Sequence, residues 1–419
     1  AGRLGARELA AVSVGSNVWF FLFVPFLGLS LAVSPIVAQR VGAGHLPGAI
    51  GKVVKSALAL SLLLGIGWLL LMHAVIDPSL DVLALDAPTR GFAEDFLRAI
   101  SWAAPPFCLC FFLRGGAEGH GLTRIPLYAG LVGLSCNVVF NYLLMWGNGG
   151  FPAMGPAGCG WATVIASWAM VGVYAAAYWL HPVLRELEVL EGGWPRLEHE
   201  VREIFMVGLP IAGILAAESW LFSAGALLMA RFGAPAVAAH QIAINFAALA
   251  FMVPTAVGMA TAVRVGFSAG ARDAEGVALR GRAGIAIGGA FSLMSAAAMA
   301  LLPGPIVAMY TSIEALAGPA THFLALAAIF QFFDCIQATA NGALRGLKDT
   351  RTPMAITVFA YWGVGMPLAA GLAFWTASGP SGIWWGFIGG LALAAIGLSW
   401  RFAHLTSGKL PIPTQSATM

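Results

Sequence analysis

Long apolar segments, separated by short polar or charged stretches, dominate the chain. Eleven of them are long enough for an α-helix to cross the hydrocarbon core of a bilayer, which takes about 20 residues. The predicted spans are 9–35, 51–76, 92–114, 125–147, 157–181, 204–230, 236–262, 277–302, 317–343, 353–376 and 381–404. The pattern therefore predicts an all-α polytopic membrane protein.

The composition leads to the same fold class. The mean hydropathy is +0.84, with 59% hydrophobic and 10% charged residues, which is too apolar for a soluble domain of this size. The net charge of +3 does not suggest a nucleic-acid partner. The five cysteines lie in or beside apolar segments without a CxxC motif or Cys/His cluster. We interpret them as packing residues and predict no metal centre or cofactor.

The second half of the chain repeats motifs of the first half in the same order. Seven ordered matches, at offsets of 224 to 231 residues, indicate an internal duplication. The matches are Arg3-Leu4-Gly5-Ala6 with Arg231-Phe232-Gly233-Ala234, Ala10-Ala11 with Ala238-Ala239, Asn17 with Asn245, Pro25 with Pro254, Leu113-Arg114 with Leu344-Arg345, Thr123-Arg124-Ile125-Pro126 with Thr350-Arg351-Thr352-Pro353, and Gly155-Pro156-Ala157-Gly158 with Gly379-Pro380-Ser381-Gly382.

The duplication predicts two six-helix bundles. The span that carries Glu218 opens the second half and has no counterpart in the first, so we expect a first span that is missing from this sequence. We expect residues 1–182 to form the rest of the N-terminal bundle and 183–203 a cytoplasmic linker. Residues 204–405 would form the C-terminal bundle and 406–419 a tail. Because each half has an even number of spans, both halves should share one orientation, with the substrate path between them.

The basic residues predict the topology. With the missing span counted first, the loops after even-numbered spans and the C-terminus hold 17 of the 22 Lys and Arg residues, and the opposite side holds 5. Cytoplasmic loops carry the excess of basic residues in membrane proteins. The basic side is therefore expected to be cytoplasmic.

Two carboxylates, Glu218 and Asp334, are predicted in the middle of spans, whereas the other 17 acids map to loops or span ends. A charge at this depth costs about 2.5–3.5 kcal/mol on insertion scales, so it indicates a functional site or a structural partner. Two carboxylates can bind Na⁺ through oxygen or share protons. The sequence leaves the choice of ion open.

Two polar pairs with i,i+4 spacing are further candidates for a substrate cavity. Gln241 and Asn245 share one face of the span after Glu218, and Asn137 and Asn141 share a face in the first half. Each pair fits either a polar cavity wall or hydrogen bonding between helices. His240, near a span end, is expected at the membrane interface.

Charged and aromatic residues near span ends have simpler interpretations. Arg345, Lys348, Asp349 and Arg351 are expected to form a cytoplasmic turn with a local ion pair. Four aromatic residues fit either a cavity for cations or anchors at the membrane interface, and we favour the anchor interpretation. They are Tyr361, which we keep as a cavity candidate, Trp362, Trp384 and Trp385.

Several motifs resemble the multidrug and toxic compound extrusion family, NorM-type branch. The most specific is FQFFDCIQATANGALRGLKDTRTP at 330–353. Residues 216–241 and 253–266 are also similar, and 34–44 and 155–163 resemble motifs of the first half. The resemblance covers essentially the whole chain.

This resemblance implies a V-shaped pair of bundles in a bacterial inner membrane, with both termini of the full-length protein cytoplasmic. It implies a monomer, surrounded by lipid, that exports organic cations or other amphipathic small molecules in exchange for Na⁺ or H⁺. It also implies that Glu218 and Asp334 bind and couple the cation.

The chain departs from the family pattern at two places. The family's first helix carries another functional acid, and that helix is absent here. The family often has a Tyr one turn before the Asp, where this chain has Phe330. A phenyl face offers cation–π attraction but no hydroxyl ligand.

Two other functions remain alternatives at this point. A flippase for lipids or lipid-linked precursors would need a strongly basic cavity for anionic headgroups, whereas the charges predicted inside the spans are acidic. A membrane-embedded transferase or hydrolase would need a nucleophile, a His/Asp pair or a metal cluster at a membrane face. The sequence shows no such group, so we do not expect an enzyme.

Overall fold

A computed structural model describes residues 5–83, 85–189, 198–311 and 313–408. Every regular element in these ranges is helical. In chain order the helices are α1 (Ala6–Ser30), α2 (Val33–Gly42), α3 (Pro47–Val82), α4 (Ala87–Ser101), α5 (Ala104–Gly119), α6 (Arg124–Trp146), α7 (Pro156–Leu180), α8 (Pro182–Arg185), α9 (Glu198–Ala230), α10 (Ala234–Gly270), α11 (Ala274–Leu301), α12 (Pro303–Ala308), α13 (Glu314–Gly346), α14 (Arg351–Val358), α15 (Met366–Trp375) and α16 (Ser381–Thr406). A π-helical segment, Phe359–Gly365, joins α14 to α15.

The helices confirm the predicted number of spans within the described residues. Ten helical stretches are long and apolar enough to cross a membrane, and α1 with α2 counts as one of them. The eleventh span is the pair α4 and α5, which is bent by 44° at Trp102–Ala103. The chain is therefore a multi-pass membrane protein.

Equivalent helices of the two halves begin at a nearly constant spacing, which confirms the internal repeat. The second-half helices α10, α11, α13, α14 and α16 begin 228, 227, 227, 227 and 225 residues after α1, α3, α4, α6 and α7, respectively. The longest helix of each repeat is thus aligned without insertions.

One of the seven sequence matches was wrong by one helical turn. The helix-ending hydrogen bond from Leu122 N to Ala117 O corresponds to the bond from Asp349 N to Leu344 O, each at 3.1 Å. Ala117 is therefore equivalent to Leu344. It follows that the predicted pairing of Leu113-Arg114 with Leu344-Arg345 is out of register.

The first compact unit extends to Ala212. Its core is aromatic, with the Trp68 ring centroid 4.1 Å from that of Trp19 and 5.2 Å from that of Phe26. At the end of α2, Arg40 Nη2 lies 2.8 Å from Glu203 Oε2 at the start of α9, and both side chains are largely buried. This ion pair fastens the end of α2 to the first turns of α9.

The second compact unit begins at Gly213, so the boundary lies within α9. Its core gathers aromatic residues from α9, α13, the π-helical segment and α16. Of the predicted linker, 190–197 lies outside the described residues, as does 409–419 of the predicted tail. The five cysteines form no disulfide, which agrees with their interpretation as packing residues.

Small residues let α15 and α16 approach closely in the second unit. A Cβ atom added at Gly386 would overlap the backbone of Ala369, which cannot move as a flexible side chain does. Membrane helices commonly pack through such small residues. The α15–α16 contact therefore depends on the absence of a side chain at Gly386.

We expect Gly386→Ala to destabilise the protein by about 1–3 kcal/mol, the usual cost of overpacking. The thermal unfolding midpoint of the purified protein in detergent measures the effect. The matched control is Gly289→Ala in α11, where an added Cβ would meet no atom within 4 Å. An equal midpoint for the two variants would contradict the close contact.

Candidate functional site

The two predicted intramembrane acids lie in the second unit and interact with each other. Glu218 lies in the middle of α9 and is half-buried, whereas Asp334 in α13 is only 3% exposed. Their carboxylates interact electrostatically. Like charges in a low-dielectric environment repel strongly, so this pair needs compensating groups.

Gln337 is the first compensating group. Its Nε2 lies 3.5 Å from Asp334 Oδ1, at the long end of hydrogen bonding, and the side chain also forms a hydrogen bond with Glu218. Because the amide is shared by both acids, it fixes their separation. Gln337 Oε1 is buried and has no hydrogen-bond partner among the described residues.

A row of polar side chains extends along α13 from this pair. Asp334, Gln337, Asn341 and Arg345 follow one another at spacings of three, four and four residues, so they share one helical face. The first three are buried and Arg345 is half-buried. The Arg345 guanidinium interacts electrostatically with Glu218, which makes Arg345 the second compensating group.

The charges at the end of α13 therefore differ from the local ion pair that we predicted. Asp349 does accept a hydrogen bond, but from Arg401 Nε in α16 at 2.8 Å. Arg401 is 52 residues from Asp349, so charge spacing within the turn could not reveal the pair.

The π-helical segment brings a phenol to the acids. Trp362 Nε1 donates to the carbonyl oxygen of Ala217 at 3.1 Å, which fastens the segment to the residue next to Glu218. The adjoining Tyr361 is fully buried and interacts electrostatically with Glu218 and Asp334. Its hydroxyl has no hydrogen-bond partner in the described part of the chain. Single π-helical turns are frequent at functional sites.

Together these groups can bind a small cation or exchange a proton. Two carboxylates, the Gln337 carbonyl oxygen and the Tyr361 hydroxyl are all oxygen donors, which hard cations prefer. No group of three or more His, Cys, Asp or Glu side chains is placed to hold a metal ion within the described ranges. A cation at this site would therefore need neutral oxygen ligands as well as the acids.

Comparison with known proteins identifies the family. The family model described as MatE matches residues 1–143 and 210–370, which is most of the chain and includes both acids. The chain belongs to the MatE family.

Relatives and solved structures agree with this assignment. The MatE chain is 38% identical to "Multidrug resistance protein PmpM" of Pseudomonas aeruginosa, over 96% of this chain and 85% of that protein. It is 36% identical to "Probable multidrug resistance protein NorM" of Geobacillus kaustophilus, over 98% and 91%. The fold matches "Crystal structure of eukaryotic MATE transporter AtDTX14" with a TM-score of 0.85, at 20% identity over 96% of this chain and 88% of that chain. An outward-facing multidrug resistance MATE family transporter matches with a TM-score of 0.87, also at 20% identity, over 96% and 89%.

Gln241 and Asn245 form a pair on the surface of α10. Gln241 Nε2 donates to Asn245 Oδ1 at 3.1 Å, and both side chains are exposed. This exposure separates them from the buried acids. Their role in a substrate cavity stays a prediction.

The first unit contains the second predicted pair and adds a residue to it. Asn141 Nδ2 donates to Asn137 Oδ1 at 3.0 Å, and Asn137 Nδ2 lies 3.4 Å from the hydroxyl oxygen of Thr163 in α7. Asn141 Oδ1 is buried without a hydrogen-bond partner in the described ranges. The three side chains form a polar cluster between α6 and α7, whose function as part of a cavity is untested.

Several aromatic residues are buried more deeply than predicted. Tyr361 and Trp384 are fully buried, so the interface-anchor interpretation was wrong for both, whereas Trp362 and Trp385 are partly exposed. His240 was also expected at the interface, but it is buried and its ring centroid lies 5.4 Å from that of Trp384. Phe330 is buried too, and aromatic rings surround it, with centroids at 5.8 to 6.5 Å. They belong to Phe222, Trp384 and Phe387.

Sequence reasoning missed Gln337, Asn341, Trp362 and Thr163 as members of the two polar clusters. For Gln337 and Asn341 a signal was present, because they continue the face of α13 that begins at Asp334. Trp362 and Thr163 act through contacts with distant segments, so the local pattern carried no signal for them.

We expect Tyr361→Phe to leave the free energy of unfolding unchanged or to raise it by up to about 1 kcal/mol, because it removes a buried hydroxyl that lacks a partner. The matched control is Tyr178→Phe. The Tyr178 hydroxyl donates to Leu113 O at 3.0 Å, so its loss should destabilise the protein by about 1 kcal/mol. Thermal unfolding in Na⁺-free detergent solution compares the two variants. A larger loss at Tyr361 would show that its hydroxyl is already bonded.

Proposed function

We propose that this chain is a secondary active efflux antiporter that exports organic cations or amphipathic compounds in exchange for Na⁺ or H⁺. The observation that carries the proposal is the pair of acids, Glu218 and Asp334, which are bridged by Gln337 inside the spans. The names of the relatives, which are multidrug resistance proteins, support export of small molecules.

The coupling ion would bind between Glu218 and Asp334. Na⁺ would take ligands from the carboxylates, from Gln337 Oε1 and from the Tyr361 hydroxyl, since the last two oxygens are buried and lack partners in the described chain. Tyr361 would thus supply the hydroxyl that Phe330 cannot. H⁺ would instead bind to one of the carboxylates and remove the repulsion between them.

Transport would follow from alternating access. Ion binding and substrate binding must favour different states of the protein, because a ligand with equal affinity for both states shifts nothing. Inward movement of one positive charge supplies about 2.3 kcal/mol per 100 mV of membrane potential. We infer that ion binding to the acids favours release of the substrate outside the cell.

The charges of the site favour this function over lipid flipping. The described cluster contains two acids and one Arg, so it is suited to a cation rather than to an anionic headgroup. We place the protein in a bacterial inner membrane with its basic loops in the cytoplasm, as the distribution of Lys and Arg indicates.

Inside-out vesicles containing the full-length protein test the proposal. Uptake of ethidium, a fluorescent monovalent organic cation, is followed with Na⁺ concentrated in the lumen and then with H⁺ concentrated there. We expect one of the two gradients to drive uptake. Glu218→Gln and Asp334→Asn should each reduce it by about tenfold or more, because neither neutral side chain changes its charge on ion binding.

The matched control for these variants is Glu314→Gln. Glu314 is an exposed acid in the first turn of α13, the helix that carries Asp334. Its replacement should leave gradient-driven uptake within about twofold of the wild type. Undiminished coupling in both acid variants, or uptake by none of the proteins under either gradient, would overturn the proposed function.

A further inference from the structure

Arg345 has a role that its position near the end of α13 does not explain. An arginine at the cytoplasmic end of a span normally sets topology and extends into water. Arg345 is instead half-buried, and its Nε atom is buried without a hydrogen-bond partner in the described part of the chain. A buried donor of this kind is costly, so a compensating interaction is required.

Glu218 supplies that interaction. The Cα of Arg345 is eleven residues, about 16 Å along the helix axis, beyond that of Asp334. Helical side chains tilt toward the N-terminus of their helix, so the long Arg345 side chain extends back along the polar row toward the acids. Its guanidinium interacts electrostatically with Glu218, whereas the acid nearest in sequence, Asp349, is bonded to Arg401.

We propose that Arg345 is a built-in counter-cation that competes with the coupling ion for Glu218. In the ion-free state the guanidinium neutralises part of the charge of the acid pair. When Na⁺ or H⁺ arrives at the pair, it replaces Arg345 as the neutralising charge of Glu218. When the ion leaves toward the cytoplasm, Arg345 takes its place again. This inference rests on the proposed function, because it concerns the same acids.

The competition has two consequences for transport. Two carboxylates and one guanidinium leave a net charge of one negative unit, so a single monovalent ion neutralises the cluster. The fixed positive charge also weakens binding of that ion. Weaker binding accelerates release into the cytoplasm, where the cycle must let the ion go.

The experiment uses the ethidium assay with the lumenal concentration of the coupling ion varied. For Arg345→Gln we expect the half-maximal ion concentration to fall by about threefold or more, because the competing charge is lost. The maximal rate should fall as well, because the ion is released more slowly. Arg345→Lys keeps the charge and should retain a half-maximal concentration within about twofold of the wild type.

Arg401→Gln is the matched control. It removes a partly buried arginine from an ion pair in the same unit, but Arg401 pairs with Asp349 rather than with the acid pair. Its half-maximal ion concentration should match that of the wild type. If Arg345→Gln changes only the maximal rate, or if Gln and Lys shift the ion concentration equally, Arg345 is a structural residue and the inference fails.

A stability measurement covers the case in which Arg345→Gln alone does not fold. Glu218→Gln leaves the Arg345 charge uncompensated, so adding Arg345→Gln to that variant should raise the thermal unfolding midpoint. A double variant that is less stable than Glu218→Gln would overturn the inference. Failure of the proposed function is distinct, since the wild type would then show no ion-driven uptake at all.

Discussion

Two carboxylates inside the membrane-spanning region are the constraint on which the second unit depends. An unpaired charge at this depth is costly, so the surrounding helices must supply groups that compensate it. The chain does this with one amide that bonds both acids and with one guanidinium that interacts with Glu218. The rest of the unit serves this arrangement, since the Trp362 hydrogen bond and the close packing of α15 on α16 hold the π-helical segment beside the acids.

The compensation is incomplete in a specific way. Gln337 Oε1, the Tyr361 hydroxyl and Arg345 Nε are all buried without hydrogen-bond partners in the described residues. Most buried polar groups in native proteins are paired, so a cluster of exceptions requires an explanation. A site that must alternately bind and release a cation cannot satisfy every group in one state. The unpaired oxygens are therefore consistent with an ion-exchange function.

The sequence predicted the fold well because its signals were strong and local. Eleven apolar segments, the ordered repeat and the two isolated acids could all be found in the pattern of residue types. The environment of the acids was harder to predict. Arg345 looked like a topology signal and Tyr361 like an interface anchor, since both interpretations are usual near span ends. Only tertiary contacts show that these side chains extend to Glu218, and no periodicity announces the π-helical segment that positions Tyr361.

The bend in the first repeat shows how far the two copies have diverged. With an offset of 227 residues, the break at Trp102–Ala103 aligns just before Phe330, and Asp334 aligns with Phe107. The polar row from Asp334 to Arg345 exists only because α13 is continuous there, and a 44° bend would move its two ends onto different faces. One ancestral helix has therefore become a rigid carrier of charge in one copy and an angled hydrophobic element in the other. Gene duplication allowed this specialisation, because a single copy could not have adopted both geometries.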